Sequence, residues 1–283
     1  MHPIHFTKMT GSGNDFIIID NRTLKLTKER GRELARLACR RKLSVGADGL
    51  ILIDNDPEAD FAWQFFNADG SEAEMCGNGA RCAARFALLK GIVDKDRLCF
   101  KTLAGLIEAQ VASERAKVRM PQPHSMQADV PVELDGRLLH LGFINTGVPH
   151  AVFFADSPKQ FEELDVFGLG RRIRFHQRFQ PAGSNANFVF VSNPHQISIR
   201  TYERGVEAET LACGTGSIAA ALLAAAKNFT VSPVNVLTRS GETLVIHFEK
   251  ISQEDRIDFS NVYLEGDAKV VYDAELWDET LRS

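Results

Sequence analysis

Two stretches of the chain set a cysteine ahead of two glycines in the same frame, Glu-Ala-Glu-Met-Cys76-Gly-Asn-Gly-Ala (72–80) and Glu-Thr-Leu-Ala-Cys213-Gly-Thr-Gly-Ser (209–217). Both read E-x-x-x-C-G-x-G, and both lead into alanine-rich runs that predict helices, over Ala80 to Lys90 and Ser217 to Lys227. A thiol at a helix start sits beside unpaired backbone N–H groups and about half a positive charge, which bind a carboxylate and lower a cysteine pKa. The glycines after each cysteine let a ligand come close to the backbone. One such site points to a nucleophile. Two that face each other point to a two-base exchange, in which one thiolate removes the α-proton of a bound amino acid and the opposite thiol returns a proton to the other face. That is the chemistry of a racemase or epimerase. With no pyridoxal phosphate as electron sink, fixed N–H groups have to stabilise the carboxylate as it becomes ene-diolate-like, in a site closed to water. No cofactor or metal motif is present in the sequence, and none is expected.

A single C-G-x-G more often marks a structural cysteine than a reactive one. Here the duplication, the glutamate four residues upstream and the helix downstream reverse that preference. The five cysteines include no C-x-x-C pair, so neither a disulfide framework, a zinc ribbon nor a disulfide oxidoreductase is indicated. Cys39, Cys82 and Cys99 read as core. If Cys76 and Cys213 share one small cleft, oxidation should join them and silence the site until a reductant is added.

The elements that must position these thiols also come in two sets. Thr10-Gly-Ser-Gly-Asn-Asp-Phe-Ile-Ile-Ile-Asp20 is echoed by Thr146-Gly-Val-Pro-His-Ala-Val-Phe-Phe-Ala-Asp156, an offset of 136 residues beside the 137 that separate the cysteines, so two motifs in step indicate a duplicated domain. The first half opens as strand, glycine turn, strand (Ile4 to Met9, then Phe16 onward), and Gly11 and Gly13 match only half of a dinucleotide fingerprint. Thr27 to Lys42 reads as an amphipathic helix with a basic outer face, followed by extended segments at Gly49 to Ile53, Phe61 to Phe66 and Leu98 to Met120. Pro121-Gln-Pro-His marks a change of domain. Further strands follow near Phe143 to Ala155, Ala186 to Val191 and Gln196 to Arg204, and the helix from Ser217 is apolar almost all round, so sheet should enclose it.

Composition narrows the partners. A chain of 283 residues suggests two domains at about 150 residues each. With 33 basic and 37 acidic residues it lacks the electrostatic footprint of a nucleic-acid binder. The longest apolar run, Ile218 to Ala226, is far short of the roughly 20 residues that span a bilayer, and the amino terminus has no signal-peptide core, so a cytoplasmic protein without membrane association is expected.

Asn67-Ala-Asp-Gly-Ser-Glu, Met75-Cys-Gly-Asn-Gly-Ala-Arg-Cys82, Tyr202-Glu-Arg-Gly and Ala212-Cys-Gly-Thr-Gly216, with the opening Lys8 to Phe16 and Gly46-Ala-Asp-Gly49, closely resemble the diaminopimelate epimerase family over nearly the whole chain. Proline racemases share paired cysteines but typically show C-G-H-G in the first motif. The resemblance implies an α+β fold of two pseudo-symmetric α/β halves, each a mixed sheet wrapped round a central helix. The halves would be 1–120 with the return of 267–283, and 121–266, with the active site in the cleft between them and a homodimer as the assembly. It implies a small-molecule amino-acid substrate and conversion of LL- to meso-diaminopimelate, towards lysine and peptidoglycan, with Cys76 and Cys213 as the acid/base pair. Gly77, Asn78, Gly214 and Thr215 would supply donors to the reacting carboxylate, and His150 and Glu203 would poise the thiols. Asn14, Asn67, Asn185, Glu203 and Arg204 match substrate positions: Arg204 can fork a distal carboxylate while Glu203 and the amides receive ammonium groups. Two positions depart from the family, Gly49 where many members have glutamine, and Val148 where many read G-N-P-H. The alternatives are a related racemase for another amino acid, and a non-catalytic amino-acid-binding protein that kept the cleft.

Overall fold

The computed structural model describes residues 3–253 and 256–281. Residues 1, 2, 282 and 283, the outer ends of the first half as read from the sequence, lie outside the described residues, as do 254 and 255. The chain divides into two compact units, Met1–Val118 with Glu265–Ser283, and Arg119–Leu264.

In chain order the elements are β1 (Ile4–Gly11), β2 (Asn14–Asp20), α1 (Lys28–Ala38), β3 (Gly49–Asp54), β4 (Phe61–Asn67), α2 (Gly77–Leu89), β5 (Arg97–Thr102), β6 (Gly105–Ala112), β7 (Arg115–Arg119), β8 (His124–Leu134), β9 (Arg137–Asn145) and β10 (Pro149–Phe154). They continue with α3 (Pro158–Glu163), α4 (Val166–Phe175), β11 (Asn185–Asn193), β12 (Gln196–Glu203), β13 (Ala208–Thr210), α5 (Gly214–Ala226), β14 (Val234–Leu237), β15 (Thr243–Gln253), β16 (Arg256–Asp267) and β17 (Lys269–Leu276).

The first unit orders its sheet β17-β1-β2-β3-β4-β5-β6-β7, antiparallel except for the parallel pairs β2–β3 and β4–β5. The second orders β8-β9-β10-β11-β12-β14-β15, antiparallel except for β10–β11 and β12–β14, with β13 also on β12. Each parallel pair requires a crossover, and in both units helices supply it: α1 and α2 in the first, α3 with α4 and α5 in the second. The pairing senses repeat strand for strand, with β1 answering to β9, β2 to β10, β3 to β11 and β4 to β12. The expected duplication is therefore present in the topology itself, although the strand pairing makes Phe16 the counterpart of His150, two residues from the match that the sequence echo sets.

In the first unit α2 packs on β1, β2, β3 and β6, while α1 packs on β3 and β4. In the second α5 packs on β9, β10, β11, β12, β14 and β15 and buries Gly216 through Ala226 completely or nearly so, as its all-round apolar sequence requires. Close approach there depends on Gly142 of β9, where a Cβ would lie 2.9 Å from Leu223 Cδ1. Both central helices start three residues earlier than the alanine runs predict, because the C-G-x-G glycines form the first turn and each cysteine is the N-cap. Helix α1 is shorter than the Thr27 to Lys42 pattern. Thr27 caps it by accepting from the Arg30 N–H, and Cys39 ends it. Among the described residues no helix is long and apolar enough to cross a membrane.

Candidate active site

Cys76 has extended backbone (φ −146°, ψ 116°), and its Sγ accepts from the Gly79 N–H at 3.4 Å. Burial pushes this thiol up from the ordinary cysteine value, against the N–H groups of Gly79 and Asn78 and the positive charge of Arg81. The lowering expected from a helix start is thus outweighed: a sulfur withdrawn from water loses more hydration as thiolate than the first helical turn returns.

A polar chain fixes this helix start. Arg81, fully buried one turn into α2, donates to Asn78 Oδ1 (2.9 Å) and Ser12 Oγ (2.8 Å). Asn78 Nδ2 donates to Asn14 Oδ1 (2.7 Å), and Asn14 Nδ2 to Asp48 Oδ2 (2.9 Å). Asp48 and Asp15 share Arg41, and the buried Lys8 pairs with Asp15 at 2.7 Å while donating to the Gly46 carbonyl. Burial raises the Asp15 carboxyl, but Lys8 and Arg41 together hold it below the usual carboxylate range. The glycine turn read at positions 11–13 is a tight β1–β2 connection, with Ser12 at φ 50° and Gly13 at φ 88°. Its Ser12 hydroxyl belongs to the same chain. The Asn14 and Asn78 amides are engaged with each other, each with a second Nδ2 N–H left over, beside the backbone N–H groups of the first turn of α2. Asn67 is exposed at the end of β4 and donates to Ser71 Oγ at 3.0 Å.

Cys213 caps α5 with similar backbone (φ −129°, ψ 110°) and is 8% exposed, its Sγ 3.5 Å from Thr215 Oγ1. Burial, and secondly the negative charge of Glu203, push this thiol up to about 12 against the pull of the Thr215 hydroxyl and the N–H groups of Gly216 and Thr215. Glu203, at the end of β12, is itself raised by burial. Thr146 Oγ1 donates to the Thr215 carbonyl at 2.9 Å, tying the β9–β10 turn to the first turn of α5. Asn185 is held within its own unit: its Nδ2 donates to the Pro149 carbonyl (3.0 Å) and its Oδ1 accepts the Arg204 backbone N–H (2.8 Å). The Arg204 guanidinium reaches the Ala182 carbonyl at 3.1 Å. His150 is fully buried, and burial together with the charge of Arg204 pushes its imidazole down to about 3, so it is neutral.

The first unit thus brings together Asn14, Cys76, Gly77 and Asn78, and the second Asn185, Glu203 and Arg204 at one strand end and Cys213, Gly214 and Thr215 at one helix start. At Gly49 a Cβ would lie 2.5 Å from the Phe65 ring and 2.8 Å from the Phe66 carbonyl. Val148 contributes its carbonyl to the Thr146 N–H at 3.2 Å and has no side-chain amide to offer. The second glycines of the two motifs sit in different surroundings. Gly216 is bare to admit a neighbouring side chain, since a Cβ would lie 2.5 Å from Asn187 Oδ1, whereas at Gly79 the nearest atoms are at an ordinary 3.4 Å. Cys99, read as core, is only partly buried on β5. Sequence reasoning passed over Arg81, Asp48, Lys8, Asn187 and Thr201. The available signal was Asn185-Ala-Asn187, which places two residues disfavoured in strands on one face of a buried β-strand.

Solved structures share this architecture. A phenazine biosynthesis protein of the PhzF family from Bacillus anthracis matches with a TM-score of 0.73 and 16% identity, covering 98% of this chain and 100% of that one. A probable proline racemase from Agrobacterium radiobacter K84 matches at 0.65 and 15%, covering 97% and 93%. The fold class is therefore the one these proteins share, two α/β halves each built round a central helix. The family model described as diaminopimelate epimerase matches residues 6–125 and 142–271. The protein named diaminopimelate epimerase in Aquifex aeolicus (strain VF5) is 48% identical, over 98% of this chain and 99% of its own, and that of Hydrogenobaculum sp. (strain Y04AAS1) 46% identical, over 95% and 97%. This chain belongs to the diaminopimelate epimerase family.

Proposed function

We propose that the protein is an isomerase that interconverts LL- and meso-2,6-diaminopimelate, a step towards lysine and peptidoglycan precursors, by proton transfer between Cys76 and Cys213. The observation that carries the reading is the pair of thiols, each the N-cap of the central helix of its own unit, with backbone N–H groups beside each sulfur. One sulfur, as thiolate, takes the α-proton. The carbon–hydrogen electron pair flows into the substrate carboxylate, whose ene-diolate character is stabilised by N–H groups at Gly77, Asn78, Gly214 and Thr215. The other thiol then delivers its proton to the opposite face, and the two sulfurs exchange ionisation states.

Burial makes this exchange chemically sensible, because a thiolate whose conjugate acid lies far above neutrality is a strong base for a weakly acidic α-proton. Such a thiolate needs a partner to form. Glu203, held up by burial and close enough for its charge to act on Cys213, accepts that proton, and His150 poises a thiol in turn. The substrate's distal amino-acid head is read by Asn14, Asn67, Asn185, Glu203 and Arg204. The reading places no cofactor in the reaction, because the sequence carries no motif for one, and it makes the protein a cytoplasmic homodimer.

The decisive experiment follows deuterium from D2O into the substrate α-carbon. Incorporation with LL-diaminopimelate, abolished in both Cys76→Ala and Cys213→Ala, is expected. A binding protein would take up no label at all. A racemase for another amino acid is the second reading, favoured by the missing side-chain amide at Val148, and faster turnover of proline, histidine or lysine than of diaminopimelate would establish it instead. Light scattering at micromolar concentration checks the dimer.

A further inference from the structure

The duplicated topology identifies residues in equivalent places on the face turned to each central helix. Phe16 pairs with Gly49 at the head of β2–β3, and His150 with Asn185 at the head of β10–β11. Ile51 then stands across from Phe65, and Asn187 across from Thr201. The helices agree with this match, because a Cβ at Gly79 would touch Ile51 and a Cβ at Gly216 would strike Asn187. One copy therefore fills the place with Phe16, Ile51 and Phe65, the two rings edge to face at 5.9 Å, and the other with His150, Asn187 and Thr201, each at most 3% exposed. The first copy demonstrates that the fold accepts apolar residues here. Burying three polar side chains instead costs free energy unless each is bonded, and His150 Nε2 is buried with no partner.

The bonds that are made have a definite direction. Asn187 Nδ2 lies 3.0 Å from the Ala151 carbonyl, which can only accept, and Asn187 Oδ1 accepts the Thr201 hydroxyl at 3.0 Å. The amide is thereby oriented, and its second N–H faces His150 Nδ1 at 3.1 Å. A donor opposite a ring nitrogen requires that nitrogen to be bare, so the proton of the neutral ring sits on Nε2.

We propose that Asn187, clamped by Thr201 and the Ala151 carbonyl, is a positioning residue that holds neutral His150 in its Nε2–H tautomer, so that any poising of a thiol by this imidazole is hydrogen-bond donation from Nε2 and not proton abstraction. This rests on the reading of His150 as a thiol-poising group. The two poising residues then differ in kind: a carboxylate at Glu203 can take a proton, whereas His150 with its Nε2 protonated can only donate a hydrogen bond. Gly216 follows from the same arrangement, since any side chain there would displace the Asn187 amide.

The test is a 15N spectrum of the histidine side chains of the whole protein at neutral pH, with the His150 signals identified by their loss in His150→Gln. A protonated Nε2 beside a bare Nδ1 is expected, and an imidazolium or an Nδ1–H ring overturns the proposal without any further variant. Asn187→Asp sets an acceptor opposite Nδ1 and should move the proton there, with kcat for epimerisation falling about tenfold or more while KM stays within about twofold. An unchanged tautomer in that variant also overturns it. The spectrum is read on the resting protein, so a failure to turn over diaminopimelate would sink the proposed function and leave the tautomer assignment standing.

Discussion

The two helix starts are the same construction in different electrostatic surroundings. At α2 the sulfur has a buried arginine one turn along the helix, and a chain of amides and carboxylates ties the first turn to the β1–β2 connection. At α5 the helix carries no charged side chain, and the charge that acts on the sulfur is the carboxylate of Glu203. Burial raises both thiols; the Arg81 charge opposes that rise at Cys76, against a smaller push from Asp48, whereas the Glu203 charge adds to it at Cys213. Duplication thus supplied the shared geometry of cap, glycine and N–H groups. Divergence of the surrounding residues supplied different charges beside two thiols that burial pushes up alike.

Removing either sulfur should break the comparison most severely. Cys76→Ala and Cys213→Ala are each expected to slow epimerisation by about a thousandfold or more, measured as α-deuterium exchange, and a variant that keeps even a tenth of the rate would deny its sulfur a place in proton transfer. Glu203→Gln should cost about a hundredfold in kcat while moving the Cys213 thiol titration to lower pH, because the neutral amide no longer opposes the thiolate. A thiol that titrates higher in Glu203→Gln would contradict the electrostatic account of α5.

His150→Phe installs at the second unit the residue that occupies the equivalent place in the first. Burial, with the charge of Arg204, pushes the folded His150 imidazole down from 6.5 to about 3, so below about 6.5 the unfolded chain binds a proton that the native state refuses. Its contribution to stability is therefore present above that pH and is lost as pH falls towards 3. Urea midpoints at pH 7 and pH 4.5 should fall less in His150→Phe than in the parent, and equal losses would remove His150 from the acid limb. The smallest contrast lies in the motif glycines. Gly216→Ala, with its Cβ driven against Asn187 Oδ1, should destabilise by about 1–3 kcal/mol. Gly79→Ala, with ordinary contacts, should be neutral or gain from helix propensity by up to about 1 kcal/mol. Denaturant melts of the two variants side by side would read the difference.

Much of this arrangement was legible in the residues. The E-x-x-x-C-G-x-G pair, the echo of Thr10 to Asp20 in Thr146 to Asp156, and the apolar run from Ile218 announced two central helices with cysteines at their starts and sheet around the second. Helices α3 and α4 were not legible: α3 is six residues long, and α4 carries two glycines within ten residues, so neither shows a strong helical period. The places of Cys76 and Cys213 at the helix starts were legible because a motif names them, and Glu203 was singled out by the family resemblance. Asn187 and Arg81 were not, since their roles depend on partners elsewhere in the chain, His150 lying 37 residues and Ser12 lying 69 residues away.

The sequence by itself determined what is local and periodic: which residues cap a helix, where glycine opens a first turn, and that the pattern occurs twice. Those are set by interactions within a few residues, and composition and spacing record them directly. The tertiary structure alone decided the sign of the thiol pKa shifts, the orientation of the Asn187 amide and the bare backbone at Gly216. Desolvation and buried hydrogen bonds are sums over whatever the fold packs against a group, and a helix-start expectation of a lowered thiol pKa gives way once burial outweighs the field of the first turn.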